Sequence, residues 1–83
     1  MKKFRKKPLV IEAVQWDPST EEGTVEMLRF LPNPALVGDT IQFKTLEGMM
    51  VARRGDWIIR GVAGEFYPIK DVIFRETHEA VDD

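Results

Sequence analysis

The chain has 83 residues, for which one domain spanning 1–83 is the natural count. Its 43% hydrophobic and 31% charged content is that of a globular rather than a disordered chain, and no apolar run nears the roughly 18 residues that span a bilayer. The absence of cysteine excludes disulfides, thiolate nucleophiles and cysteine-based zinc sites, and the net charge of −2 argues against general DNA binding.

That charge is unevenly spread. Lys2, Lys3, Arg5, Lys6 and Lys7 make residues 1–7 a basic arm, while Glu79, Asp82 and Asp83 make 79–83 an acidic tail. The arm can grip an anionic surface, or simply keep a first strand soluble. It is followed by "PLVIEAVQW", which carries Glu12 and is too short for the apolar region of a signal peptide.

"PLVIEAVQWD" reads as the first strand, with Pro8 at its start and both faces partly apolar, so the expectation is a strand paired on both edges. "DPSTEEGTVEMLRFLPNP" reads as a turn and a helix over about residues 20–31. Ser19 or Thr20 caps it, Glu21 and Glu22 favour its first turn, and Pro32 and Pro34 end it. Val25, Leu28 and Leu31 set its apolar stripe, widened by Met27 and Phe30.

"DTIQFKTLEGMMVA" reads as a hairpin. A three-residue loop ending at Gly48 pairs Thr45 with Met49, Phe43 with Val51 and Ile41 with Arg53. "DWIIR" and "EFYPI", joined by "GVAG", read as a second hairpin with Arg60 opposite Glu65. Trp57, Ile59 and Phe66 then form a core face, while Ile58, Arg60, Glu65 and Tyr67 form the other. The tail turns into a short helix at Asp71–Arg75. The expected architecture is α+β: one small twisted antiparallel sheet of four or five strands with the helix packed on one face. So small a core leaves apolar surface exposed, from which a homodimer or higher oligomer is expected.

Catalytic material is sparse. Ser19 is the single serine and His78 the single histidine, which near an acidic terminus is expected at the surface. The acids show no metal-ligand spacing, and there is no phosphate-binding or dinucleotide fingerprint. The expectation is therefore no enzyme, no metal and no cofactor, with an unusual carboxylate enzyme as the remote alternative. What remains are cations near aromatic rings. Arg60, Tyr67, Lys70, Arg54 and a tryptophan (Trp16 or Trp57) can line an anion or nucleotide pocket. Each also has a purely structural reading, such as an Arg60–Glu65 cross-strand pair.

The segments "FRKKPLVIEAVQW" at 4–16 and "TLEGMMVARRGDWIIRGVAGEFYPIKDVIFRETHEAV" at 45–81 resemble a family of small bacteriophage and prophage proteins of unassigned function. Members often carry Cys-Lys-Pro where this chain has Ile69, Lys70 and Asp71, and Tyr where it has His78. The resemblance implies a setting, the cytoplasm of a bacterial host, and no chemistry. In that setting the expected role is a binding protein that counters a bacterial defence. Its partner would be a host effector protein or a sequestered nucleotide signal. The alternative is a structural or assembly accessory of a phage particle.

Overall fold

The structure, a computed structural model, describes residues 1–5 and 7–81; Lys6 of the basic arm and Asp82 and Asp83 of the acidic tail lie outside the described residues. Among the described residues eight elements follow in chain order: β1 (Glu12–Gln15), α1 (Glu21–Phe30), β2 (Ala35–Val37), β3 (Thr40–Thr45), β4 (Gly48–Ala52), β5 (Trp57–Arg60), β6 (Phe66–Ile69) and α2 (Asp71–Thr77). The α+β class holds, with more strand than helix. The single sheet does not: the strands form two antiparallel sheets of three, ordered β1-β5-β6 and β2-β3-β4. The division falls at the turn after β4, where Asp56 donates its N–H to the Arg53 carbonyl at 2.9 Å. The chain leaves this turn to pair β5 with β1 instead of β4. β2, unmarked in a proline-rich stretch, pairs with β3 across a tight turn at Gly38 and Asp39.

The core lies where both sheets meet α1. Trp16, Met27, Leu31, Ile41, Phe43, Ala52 and Ile58 are buried there, with Val14, Phe30, Met50 and Phe66 packed against them. Thr20 caps α1 by accepting the Gly23 N–H at 3.0 Å, and Glu21 and Glu22 occupy the first turn. The buried stripe differs from the expected one. Met27 and Leu31, one above the other at a spacing of four, face the core, whereas Val25 and Leu28 lie at the edge of the stripe, 36% and 37% exposed.

Both hairpins sit one residue away from their expected registers. In β3–β4 the loop is two residues, Leu46 and Glu47. Thr45 lies opposite Gly48, Phe43 opposite Met50 and Ile41 opposite Ala52. Gly48, at φ 103°, opens the strand instead of closing the loop. A one-residue slip turns every side chain over. It takes Met50 and Ala52 to the core and leaves Met49 and Val51 exposed. In β5–β6, Arg60 lies opposite Phe66, Ile59 opposite Tyr67 and Ile58 opposite Pro68. Phe66 therefore joins Ile58 on the core side, away from Trp57 and Ile59. Arg60 and Tyr67, expected together, lie on opposite faces. Arg60 does not meet Glu65. It pairs with Glu12 across β1 and lies 5.3 Å from the centre of the Phe30 ring. Glu65 turns into its own loop and accepts the Ala63 N–H at 3.3 Å.

β1 is shorter than expected and, among the described residues, pairs on one edge only, with β5. Leu9 and Val10 precede it without ladder partners, 60% and 75% exposed. Residues 1–5 and 7 are exposed, and the radius of gyration is 13.7 Å against roughly 12 Å for a compact chain of this length. α2 runs past its expected end at Arg75 to Thr77. Among the described residues no helix is long and apolar enough to cross a membrane.

Gly23 has a role that helix propensity hides. A Cβ built there would lie 2.3 Å from the Asp17 carbonyl oxygen and 3.0 Å from Thr20 Oγ1. Gly23→Ala should therefore destabilise the protein although alanine is the better helix former by about 1 kcal/mol. Displacing the backbone costs roughly 1–3 kcal/mol. A thermal melt should show a fall of several degrees, at roughly 4–8 °C per kcal/mol for a domain of this size; a higher melting temperature would contradict the close approach.

Candidate functional site

Two carboxylates organise the end of the molecule where β1, β5, β6 and α2 meet. Asp56, in the turn before β5, is 7% exposed. Its Oδ2 accepts the Arg53 N–H at 3.0 Å, and both of its oxygens receive Lys70 Nζ at 3.1 Å. A buried carboxylate is tolerated only with its oxygens satisfied. The Asp56 carbonyl also accepts the Trp16 N–H at 2.8 Å, so the same residue holds the end of β1.

Asp71, the first residue of α2, receives three side chains from three elements. Trp57 Nε1 donates at 2.9 Å, Gln15 Nε2 at 3.3 Å and Arg75 Nε at 2.9 Å. The Trp57 indole N–H, and then the Arg75 guanidinium, hold the Asp71 carboxyl below its ordinary range. Above Asp71 the rings form a column. Phe74 stacks on Trp57 with centroids 4.0 Å apart and planes 7° from parallel. His78 stacks on Phe74 at 4.7 Å and 4°. The spacing of four between Phe74 and His78 puts both on one side of the helix end. His78 is thus half-buried in a stack instead of free at the surface, and Thr77 Oγ1 lies 2.7 Å from its Nδ1. This column covers the face of the sheet that carries Ile59, which is wholly buried outside the main core.

A groove of about 640 Å³ runs beside the column. Residues 8–13 form one wall, Trp57 and Phe74 contribute from the sheet and α2, and residues 77–81 form the other wall. Val10 and Val81, on opposite walls, are 75% and 61% exposed. The groove is thus made by the two ends of the chain.

The residues expected to line an anion pocket are dispersed. Trp16 is 1% exposed, and its Nε1 donates to the Asp39 carbonyl at 2.8 Å; it belongs to the core. Arg60 is paired with Glu12 on the core side of the sheet. Tyr67 lies on the other face, opposite Ile59. Lys70 is committed to Asp56. Arg54 is exposed and helps to hold the nearby Asp17 carboxyl low, after the two hydrogen bonds from Ser19. Of the named set, only Trp57 borders the groove. Asp56, Asp71, Phe74 and His78 were not marked by any motif. The Asp71–Arg75 and Phe74–His78 spacings of four were legible signs of a helix with one organised side.

Asp71 makes the docking of α2 sensitive to acid. A carboxyl with a depressed folded pKa contributes stability that is fully present above its unfolded value, near 3.8, and lost as pH falls through the lower folded value. The Trp57 indole N–H resonance should therefore titrate with a midpoint below 3.8. In Asp71→Asn that titration should vanish; if it persists there, another group is responsible.

Among the described residues no group of three or more His, Asp or Glu side chains is placed to hold a metal ion. Comparison with protein-family models, with curated proteins and with solved structures finds no match, so the geometry of the molecule itself is what speaks to function.

Proposed function

We propose that the protein is a non-enzymatic binding module whose partner is another protein, and that the groove between its two chain ends takes an apolar segment of that partner. The observation that carries this reading is the groove itself, with its exposed Val10 and Val81 on opposite walls and the Trp57–Phe74 stack between them. Recognition sites of this kind combine a concave apolar lining with a few anchors, and stacked aromatic rings lose little entropy when a partner covers them. The resemblance to small bacteriophage proteins supplies the setting. The partner we propose is a host protein of bacterial defence, met in the host cytoplasm.

The nucleotide-signal reading has less support. It needs free cations converging on an exposed ring, and Arg60, Lys70 and Arg75 are each held by a carboxylate at a separate place. A phosphate there would compete with Glu12, Asp56 or Asp71 for the same cation.

Capture from a bacterial lysate with the parent chain and with a Val10→Glu/Val81→Glu variant tests the proposal. Both substitutions replace exposed side chains, so the fold should persist, with stability changed by less than about 0.5 kcal/mol. A partner retained by the parent and lost by the variant supports the groove. Equal recovery by both, or no specific partner at all, counts against it. Calorimetry with cyclic nucleotides and ADP-ribose derivatives should show no heat; a saturable signal would restore the nucleotide reading. Presence of the protein in purified phage particles would turn the reading to an assembly accessory.

A further inference from the structure

The two outer edges of the β1-β5-β6 sheet are guarded differently, and we propose that the unguarded one, β1, pairs antiparallel with β1 of a second copy across a two-fold axis at Ala13. This rests on strand geometry and not on the groove reading, although residues 8–13 of the same segment also wall the groove. Trp16 donates its N–H toward β5, to the Asp56 carbonyl at 2.8 Å. Backbone groups alternate along a strand, so those of Glu12 and Val14 also face β5, and those of Ile11, Ala13 and Gln15 face outward. Ile58, opposite Val14, therefore turns its groups to β1. Its neighbour on the other side, Pro68, sits in a non-hydrogen-bonded pair and faces the outer edge of β6. That edge lacks a donor in its middle, one of the devices by which proteins prevent strand addition.

β1 has no such device. Residues 9–15 contain neither proline nor lysine. The one charge, Glu12, is drawn back over the sheet by Arg60. The outward groups are also self-complementary. An axis at Ala13 places Ile11 of each copy opposite Gln15 of the other, so all three outward residues find partners and two three-stranded sheets become one of six.

Charge favours this occupant and this direction. An antiparallel neighbour runs the exposed arm of each copy, with Lys2, Lys3, Arg5 and Lys7, past the end of the second copy's β1. There it meets Asp17, Glu21 and Glu22, all exposed, where α1 begins. Within one copy the arm and these acids lie at opposite ends of β1. Only a second copy brings them together.

The chain has no cysteine, so Ala13→Cys places a single thiol on the axis. Hydrogen-bonded partners in an antiparallel pair lie about 5.5 Å apart at Cα, within the span that a disulfide bridges. Mild oxidation should convert Ala13→Cys to a covalent dimer much faster than Val62→Cys, whose thiol would sit in the exposed β5–β6 loop. Sedimentation of the unaltered chain should show a dimer that weakens with salt. In Arg5→Glu/Lys7→Glu its dissociation constant should rise roughly tenfold, as several exposed charge pairs turn repulsive. A monomer throughout the micromolar range overturns the proposal, as does crosslinking of Ala13→Cys no faster than that of Val62→Cys. Undiminished dimerisation of the charge-reversed variant overturns the antiparallel register that brings arm and acids together.

Discussion

The fold depends on how Asp56 is held. The chain must leave one sheet and enter the other within the four residues that separate β4 from β5, and Asp56 is where it does so. Its carboxylate closes the turn on the Arg53 N–H and reaches across to Lys70, at the junction of β6 and α2. Its carbonyl fixes Trp16, and Gly55 donates back to the Trp16 carbonyl at 2.9 Å. The Trp16 ring then passes through the core to the Asp39 carbonyl in the β2–β3 turn. One residue thus links both sheets and the start of the last helix. Replacing the side chain would leave the Arg53 N–H without its acceptor, at a cost of about 1–3 kcal/mol if no water takes its place. In a domain whose whole stability is of the order of 5–15 kcal/mol, that is a substantial share.

Much of this fold was legible, and what was not has specific causes. The helix, its Thr20 cap and its proline stop follow from local chemistry, and they appear where the sequence put them. Registers depend on which face each strand buries, and two strands give no local sign of it. "GMMVA" is apolar at both parities, so the turn decides, and Gly48 at positive φ begins the strand after a two-residue loop. "WIIR" is apolar on both faces because both are covered, one by the main core and one by α2. A strand with that pattern sits between two neighbours. The pattern belongs here to β5, whereas β1, also apolar on both faces, lies at the edge of the sheet. The partner of Arg60 lies 48 residues away in sequence, beyond any reading of a local hairpin.

The candidate site was harder to see for a related reason. The cations and rings expected to converge have the right chemistry but are already occupied. Lys70 satisfies a buried carboxylate, Trp16 fills the core, and Arg60 lies over Phe30. The groove is instead assembled from residues of plain composition at the two ends of the chain. Leu9, Val10 and Val81 carry no motif. Their significance appears only when the ends come together beside Trp57.

α2 ties that groove to the rest of the molecule. The helix has no fully buried residue. What holds it is the Phe74 ring on Trp57, the Asp71 carboxylate shared by Trp57 and Gln15, and the junction at Lys70. Val72 and Ile73 remain 67% and 49% exposed, so the helix gains little from burial of its own apolar side chains. An element anchored by so few contacts belongs to the low end of the range of local opening energies. Opening it would unstack His78 and Phe74, uncover Ile59 and remove one wall of the groove together. Anything bound in the groove must stabilise the closed helix by mass action, and loosening the helix must weaken that binding in the same measure. The carboxylate that secures α2 and the groove we propose as the partner's seat are therefore two ends of one equilibrium.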